Sequence, residues 1–265
     1  MPPSGETLTP SEVDEYGSVT ARYYDGVYAA MRDPVGDAAF YRGLAQEAGG
    51  PVLELGCGTG RVLLPIGETG IPCTGLDASP RMLEVLRRRL SNPTLRLVCA
   101  RMQDFDLGED RFALIYSAFR AFQHLYTVED QLACLACVRR HLAPGGRFAF
   151  DVFAPRLDRI AAAEEPEAED ARFELEGEEV VRHTAVSRDH ETQMMHVRMR
   201  YERRYDGETL AEERVDFNMR YFYRYEVEHL LARAGFVDLE FYGGFDGRPY
   251  DYVSGELIAV ARVAS

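Results

Sequence analysis

The stretch Val52-Leu53-Glu54-Leu55-Gly56-Cys57-Gly58-Thr59-Gly60-Arg61 decides the fold of this chain. A short apolar strand, broken only by Glu54, runs straight into three glycines at alternate positions, and a helical pattern follows over 61–68. Glycine lets the backbone turn with positive φ and lets a ligand approach with no Cβ in the way. The start of the next helix offers unpaired N–H groups to the same spot. A dinucleotide fingerprint spaces its glycines G-x-G-x-x-G to seat a pyrophosphate. Here the third glycine comes one residue early, and Arg61 stands where that fingerprint wants glycine. A tight turn with an acid before it suits a ligand that presents an amino group and a carboxylate.

Working outward, the next apolar run over 73–76 ends in Asp77, followed by Ala78 and the helix cap Ser79 with Pro80 at the first helical position. A carboxylate at that strand end can accept both hydroxyls of a ribose lying across the sheet edge. Strand signals recur at 95–99, 113–116 and 147–152, with helical patterns between them. One of those helices opens at Thr127 and carries Leu132, Leu135, Val138 and Leu142 before Pro144-Gly145-Gly146. Upstream, Thr9-Pro10 with Glu12 marks a helix start, a tyrosine-rich stretch holds Tyr16, Tyr23, Tyr24 and Tyr28, and Phe40, Leu44 and Ala48 repeat at helical spacing. This β-α alternation predicts an α/β fold, a parallel sheet with helices on both faces.

The periodicity changes over 172–222. Met195, Val197, Met199 and Tyr201 alternate with polar residues, as do Val215, Phe217, Met219 and Tyr221, on either side of Asp206-Gly207. Period two across a turn predicts an antiparallel β insertion with one buried face. The acidic run 164–170 reads as a solvated linker in front of it. A helix over 224–234 and strands at 236–241 and 257–263 complete the sheet. The expected division is an N-terminal helical covering segment (1–36), a cofactor-binding domain (37–160 and 223–265) and the lid insertion (161–222).

Composition narrows the partners. The 265 residues are 46% hydrophobic and 28% charged, an ordinary globular balance. Thirty Lys+Arg against 44 Asp+Glu give a net charge of -14, which repels a phosphate backbone and argues against nucleic acid. No apolar run reaches the length of a membrane span, and no basic-then-apolar leader opens the chain. Five cysteines form no regular framework, so a cytoplasmic protein is expected. The pair Cys134 and Cys137 has C-x-x-C spacing inside an apolar helical pattern and reads as core packing; no metal site is expected.

The chain resembles the class I S-adenosylmethionine-dependent methyltransferases, and the resemblance implies their Rossmann-like seven-stranded sheet with helices on both faces. Leu53 to Gly60 is similar to their first motif, Leu76-Asp77-Ala78-Ser79 to their ribose-binding second, Met102-Gln103-Asp104-Phe105 to their third, and Leu142 to Arg147 to their post-helix turn. Ala100-Arg101 departs from the Gly-Asp usual before the third motif. A narrower likeness, through Tyr16, Tyr24-Asp25 and Ser117 to Leu125, is to small-molecule methyltransferases of antibiotic pathways, the sugar N,N-dimethyltransferases above all, which also carry an antiparallel lid. The resemblance implies S-adenosylmethionine as cofactor, held by Tyr16, Tyr24, Glu54, Gly56, Cys57, Gly58, Gly60, Arg61, Asp77, Ala78, Met82, Met102, Gln103 and Ser117. It implies methyl transfer to a nitrogen or oxygen of a small molecule, with Tyr16 and His124 beside the acceptor. A protein or peptide acceptor, or a non-enzymatic cofactor-binding module, is the alternative; a homodimer stays open.

An alcohol acceptor would need a general base, which His124 could supply, whereas a neutral amine needs chiefly alignment. The arginines 198, 200, 204, 214 and 220 read as the solvated face of the insertion rather than a grip for an acidic substrate.

Overall fold

The computed structural model describes residues 17–31, 36–90 and 95–263. The expected helix start at Thr9 and the site residue Tyr16 lie outside the described residues. Helices α1 (Ser18–Met31) and α2 (Asp37–Ala48) lead into β1 (Val52–Leu55), α3 (Leu63–Gly67), β2 (Cys73–Asp77), α4 (Pro80–Arg89) and β3 (Arg96–Cys99). Next come β4 (Phe112–Ser117), a 3-10 turn (Ala121–His124), α5 (Val128–His141), β5 (Leu142–Phe153) and the short α6 (Leu157–Ile160). Four long strands follow, β6 (Glu164–Leu175), β7 (Glu178–Asp189), β8 (Met194–Tyr205) and β9 (Glu208–Arg220), and the chain ends in α7 (Arg224–Arg233), β10 (Phe236–Tyr242) and β11 (Glu256–Val263).

Seven strands form one sheet in the order β10-β11-β5-β4-β1-β2-β3. The five strands β5-β4-β1-β2-β3 run parallel, with α3, α4 and α5 making the β1–β2, β2–β3 and β4–β5 crossovers and a loop leading from β3 to β4, while β11 pairs antiparallel with both β10 and β5. These five strands are the parallel sheet that the β-α alternation of the sequence predicts. The link between β10 and β11 holds no helix, and β11 returns antiparallel to its neighbour β10.

The sheet is covered on both faces because its strands alternate two apolar sets. Leu53, Leu55, Ile115, Phe148 and Phe150 pack with Leu135 and Val138 of α5 and Val227 and Leu231 of α7. Val52, Leu114 and Val260 face the other way, onto Tyr41 of α2, Ile66 of α3 and Leu83 and Leu86 of α4. Burying such side chains at roughly 1.5–3 kcal/mol each is the main stabilisation of the layered core.

Strands β6 to β9 form a separate antiparallel sheet in sequential order. The acidic run read as a linker belongs to its first strand. Arginines of β6, β7 and β8 neutralise it: Asp170 takes Arg182 at 2.8 Å, Glu167 takes Arg200 at 2.6 Å, Glu169 takes Arg172 at 2.9 Å, and Glu165 pairs with Arg188. The apolar face of this sheet, with Val180, Tyr201 and Val215, packs against Tyr23 and Val27 of α1.

Candidate active site

From β1 the chain fills one side of the sheet with β2 and β3, then crosses to the other with β4 and β5. The strand order therefore reverses between β1 and β4, and the crevice beyond their carboxyl ends is where an open α/β sheet binds ligands. A cavity of about 620 Å³ occupies that place.

Its floor is the turn after β1. Gly56 and Gly58 hold φ of 73° and 52°, left-handed conformations that side chains disfavour. The N–H groups of Gly56 and Cys57 donate to the Leu76 carbonyl at 2.7 and 3.0 Å, which pins the turn to the end of β2. A Cβ on Gly56 would lie 2.7 Å from that of Ala121, so the 3-10 turn fits only over glycine. Gly60 behaves differently. Its Cβ would lie 2.3 Å from Leu86 Cδ1, so it admits α4 against the turn and does not line the cavity.

Asp77 braces the floor. Its carboxylate accepts from Gly58 N–H at 2.7 Å and from Ser79 N–H at 2.8 Å, while Ser79 Oγ caps α4 through Met82 N–H at 3.3 Å. Burial raises the Asp77 carboxyl above its ordinary value, and the two N–H bonds oppose the rise.

Behind the turn sits a buried polar cluster. Glu54 is buried at 3% exposure, and burial pushes its carboxyl up to about 8, against the pull of a 3.0 Å bond from the Tyr116 hydroxyl. Tyr41 stacks on Tyr116, with ring centroids 4.9 Å apart, and donates to Asp151 at 2.7 Å. Asp151 also accepts the N–H groups of Phe119 and Arg120 at 2.8 and 3.1 Å, holding both residues left-handed at φ of 57° and 65°. Burial raises the Asp151 carboxyl to about 6. Arg61 forks onto Asp37 at 2.9 and 2.5 Å and lies 5.3 Å from the Phe119 ring centroid.

Helix α1 ties the floor to the second sheet. Tyr24 lies against Gly58, and Asp25 accepts from the Thr59 hydroxyl at 2.9 Å. One residue earlier Tyr23 stacks on Tyr201 of β8 at 4.6 Å and bonds Glu213 of β9.

The far wall comes from the 3-10 turn and β9. His124 is half-buried, with Tyr126 Oη 3.5 Å from its Nδ1 and the Phe217 ring centroid 5.9 Å away. Burial lowers its imidazole to about 4, so it is neutral at pH 7. Tyr126 donates to the Asn218 carbonyl at 3.0 Å, and Asp216 and Asn218 of β9 reach the cavity.

Twelve residues expected at the site line this one cavity: Tyr24, Glu54, Gly56, Cys57, Gly58, Arg61, Asp77, Ala78, Met82, Met102, Gln103 and His124. Arg101, at the departure from the family pattern, lines it too. Ser117 does not: it is fully buried at the end of β4, and its Oγ has no hydrogen-bond partner among the described residues. Sequence reading missed Asp37, Asp151, Tyr126, Asp216 and Asn218. An acid inside the apolar strand Phe148-Ala149-Phe150-Asp151-Val152 was a legible signal for Asp151. Cys134 and Cys137 are free and buried on α5, and among the described residues no group of three metal-ligating side chains occurs. No helix among the described residues is long and apolar enough to cross a membrane.

The cavity fits S-adenosylmethionine. Its floor is open where a charged tail must approach backbone, Asp77 stands at the strand end that meets a ribose, and Leu76, Met82, Ala100 and Met102 give an apolar slot for a base.

Comparison with known proteins agrees with this geometry. A methyltransferase domain model matches residues 52–146. The chain is 34% identical over 119 residues to a dTDP-3-amino-3,4,6-trideoxy-alpha-D-glucopyranose N,N-dimethyltransferase of Streptomyces venezuelae, 45% of this chain and 48% of that protein. The matched segment thus spans about half the length of that curated relative. Over the whole fold it is similar to the CcbJ methyltransferase of Streptomyces caelestis, with TM-score 0.79, 28% identity, and 95% of this chain and 100% of that one covered. CalS10, an amino pentose methyltransferase of Micromonospora echinaspora solved with S-adenosylmethionine bound, superimposes with TM-score 0.72 at 25% identity, over 98% of this chain and 100% of that one. The chain thus carries a methyltransferase domain over residues 52–146, set in a fold similar to solved methyltransferases, one of them with S-adenosylmethionine bound.

Proposed function

We propose that the protein methylates a nitrogen of a small polar acceptor, an amino sugar or similar amine. S-adenosylmethionine supplies the activated methyl group. Asp77 would hold the ribose hydroxyls, Glu54 the amino end of the cofactor, Arg61 its carboxylate end beside the Gly56–Gly58 turn, and Met82 and Met102 the base. Tyr24, over Gly58, would exclude water from that end of the cavity; Tyr16 is assigned a neighbouring role from resemblance alone.

The observation that carries the nitrogen reading is the state of His124. An imidazole held near 4 is neutral at pH 7 but a weak base, poorly matched to taking a proton from a hydroxyl. An amine attacks through its own lone pair and needs mainly alignment and the exclusion of water. The sheet formed by β6 to β9 places polar groups over the cavity, which suits a small acceptor better than a flat protein surface. The relatives' names point the same way, since the Streptomyces venezuelae enzyme and CalS10 are described as acting on amino sugars. The surface charge of -14 supports an acceptor other than nucleic acid, and five free cysteines suit a reducing, cytoplasmic setting. We propose also that 161–222 is the acceptor-covering insertion and that a homodimer is the assembly to test.

The test is a panel of amines and matched alcohols incubated with S-adenosylmethionine, read by mass spectrometry for replacement of a hydrogen by a methyl group. Methylation confined to amines is expected. Methylation confined to alcohols would overturn the nitrogen assignment.

A further inference from the structure

We propose that Asp216 is the residue that selects the acceptor, accepting a hydrogen bond from the amine at the methylated position. The proposal rests on the nitrogen reading above and names the side chain that would enforce it.

Asp216 and Asn218 are two residues apart on β9, so their side chains leave the same face of that strand. Both line the cavity, and they are the two residues that the antiparallel sheet contributes to it. They share that cavity with His124 and Tyr126, and Tyr126 Oη donates to the Asn218 carbonyl at 3.0 Å. The wall facing the glycine turn therefore carries a neutral imidazole, a phenol already donating to backbone, an amide and one carboxylate.

These groups differ in what remains available. Asn218 Oδ1 is occupied by His196 Nδ1 at 2.9 Å. Among the described residues the Asp216 carboxylate takes part in no hydrogen bond or ion pair, although Arg198 is its cross-strand neighbour in the register. The other acids of the cavity have partners: Glu54 holds Tyr116, and Asp77 holds two backbone N–H groups. Asp216 is thus the one acidic acceptor in the cavity with no partner among the described residues. It also lines a second recess of about 400 Å³ with a mixed-charge lining that includes Arg198, Arg200 and Glu167, so a polar acceptor has room to extend past it.

A carboxylate in this position discriminates by charge and hydrogen-bond capacity. An amine offers it N–H donors and gains positive charge on methylation, both favourable beside an anion. An N-acylated nitrogen or a carboxylate acceptor offers fewer donors or a like charge, and is disfavoured.

The experiment measures binding of 3-amino-3-deoxyglucose, its N-acetyl derivative and glucose to protein saturated with S-adenosylhomocysteine, by calorimetry, in the wild type and in Asp216→Asn and Asp216→Glu. Asp216 is exposed, so water screens its charge, and the wild type is expected to prefer the amino sugar by roughly 2- to 5-fold. Asp216→Asn should erase that preference with S-adenosylhomocysteine affinity unchanged, and Asp216→Glu should restore part of it. An Asp216→Asn protein that keeps the full preference would overturn the assignment of Asp216 alone. A wild type with no preference for the amine, or binding none of the three, would overturn the nitrogen reading and this inference with it.

Discussion

Replacing Asp77 with alanine should weaken cofactor binding and loosen the glycine turn at once, and the two effects are separable. The carboxylate accepts Gly58 N–H at 2.7 Å and Ser79 N–H at 2.8 Å. Both donors border the cavity, where water can replace the lost acceptor, so each bond is worth its net value of about 1 kcal/mol and the fold should lose about 2 kcal/mol. For a chain of this size that lowers the melting temperature by about 4–8 °C. The lost contact to a ribose hydroxyl adds about 1.5–3 kcal/mol to the cost of binding, a roughly 10- to 150-fold rise in Kd. Asp77→Asn can still accept one N–H and should fall between. Scanning calorimetry gives the first effect and titration with S-adenosylmethionine the second. If the alanine variant melts lower yet binds within about twofold of the wild type, Asp77 is a brace for the turn and the ribose lies elsewhere.

Three further outcomes follow from the buried acids and the histidine. Burial holds the Glu54 carboxyl near 8, above its ordinary 4.5, so its contribution to stability is fully present below the lower value and is lost as pH rises through about 8; Glu54→Gln should flatten the fall between those two values in a thermal-melt series. With His124 near 4, the imidazole is already neutral across the usual histidine range, so a pH–rate profile should show no His124 step there. His124→Ala should cost far less than the 10²–10⁴-fold expected for loss of a general base, and a loss of that size would restore the base assignment. Asp151→Ala removes the acceptor that holds Phe119 and Arg120 left-handed, two conformations worth about 1–3 kcal/mol of strain each, and should abolish acceptor turnover while S-adenosylmethionine still binds.

Local signals carried much of this structure. The run from Val52 to Arg61, and Asp77 after the next strand, could be read directly because a strand, its turn and the following helix are contiguous in sequence. The sheet β6 to β9 was legible only in part. Its alternation showed strands, but the charges that turn 164–170 from a linker into a strand sit on Arg182, Arg188 and Arg200, far along the chain. Period two shows that Asp216 and Asn218 share a face without saying which face meets the cavity. Gly60 was grouped with its neighbours by spacing, yet the side chain it makes room for, Leu86, belongs to another helix. Asp151 shows the converse: an acid in an apolar strand was visible, but its partners, Tyr41 and the Phe119–Arg120 backbone, are set by tertiary packing.

The most direct measurement is a calorimetric titration of the wild type and of Gly58→Val with S-adenosylmethionine. Gly58 has φ of 52°, which a β-branched residue resists, and it faces Tyr24 across the cavity floor. The wild type should bind one equivalent per chain, and Gly58→Val should bind none while its circular dichroism stays unchanged. Wild-type protein that gives no heat with S-adenosylmethionine, or a folded Gly58→Val that binds as tightly as wild type, would contradict the placement of the cofactor on this turn.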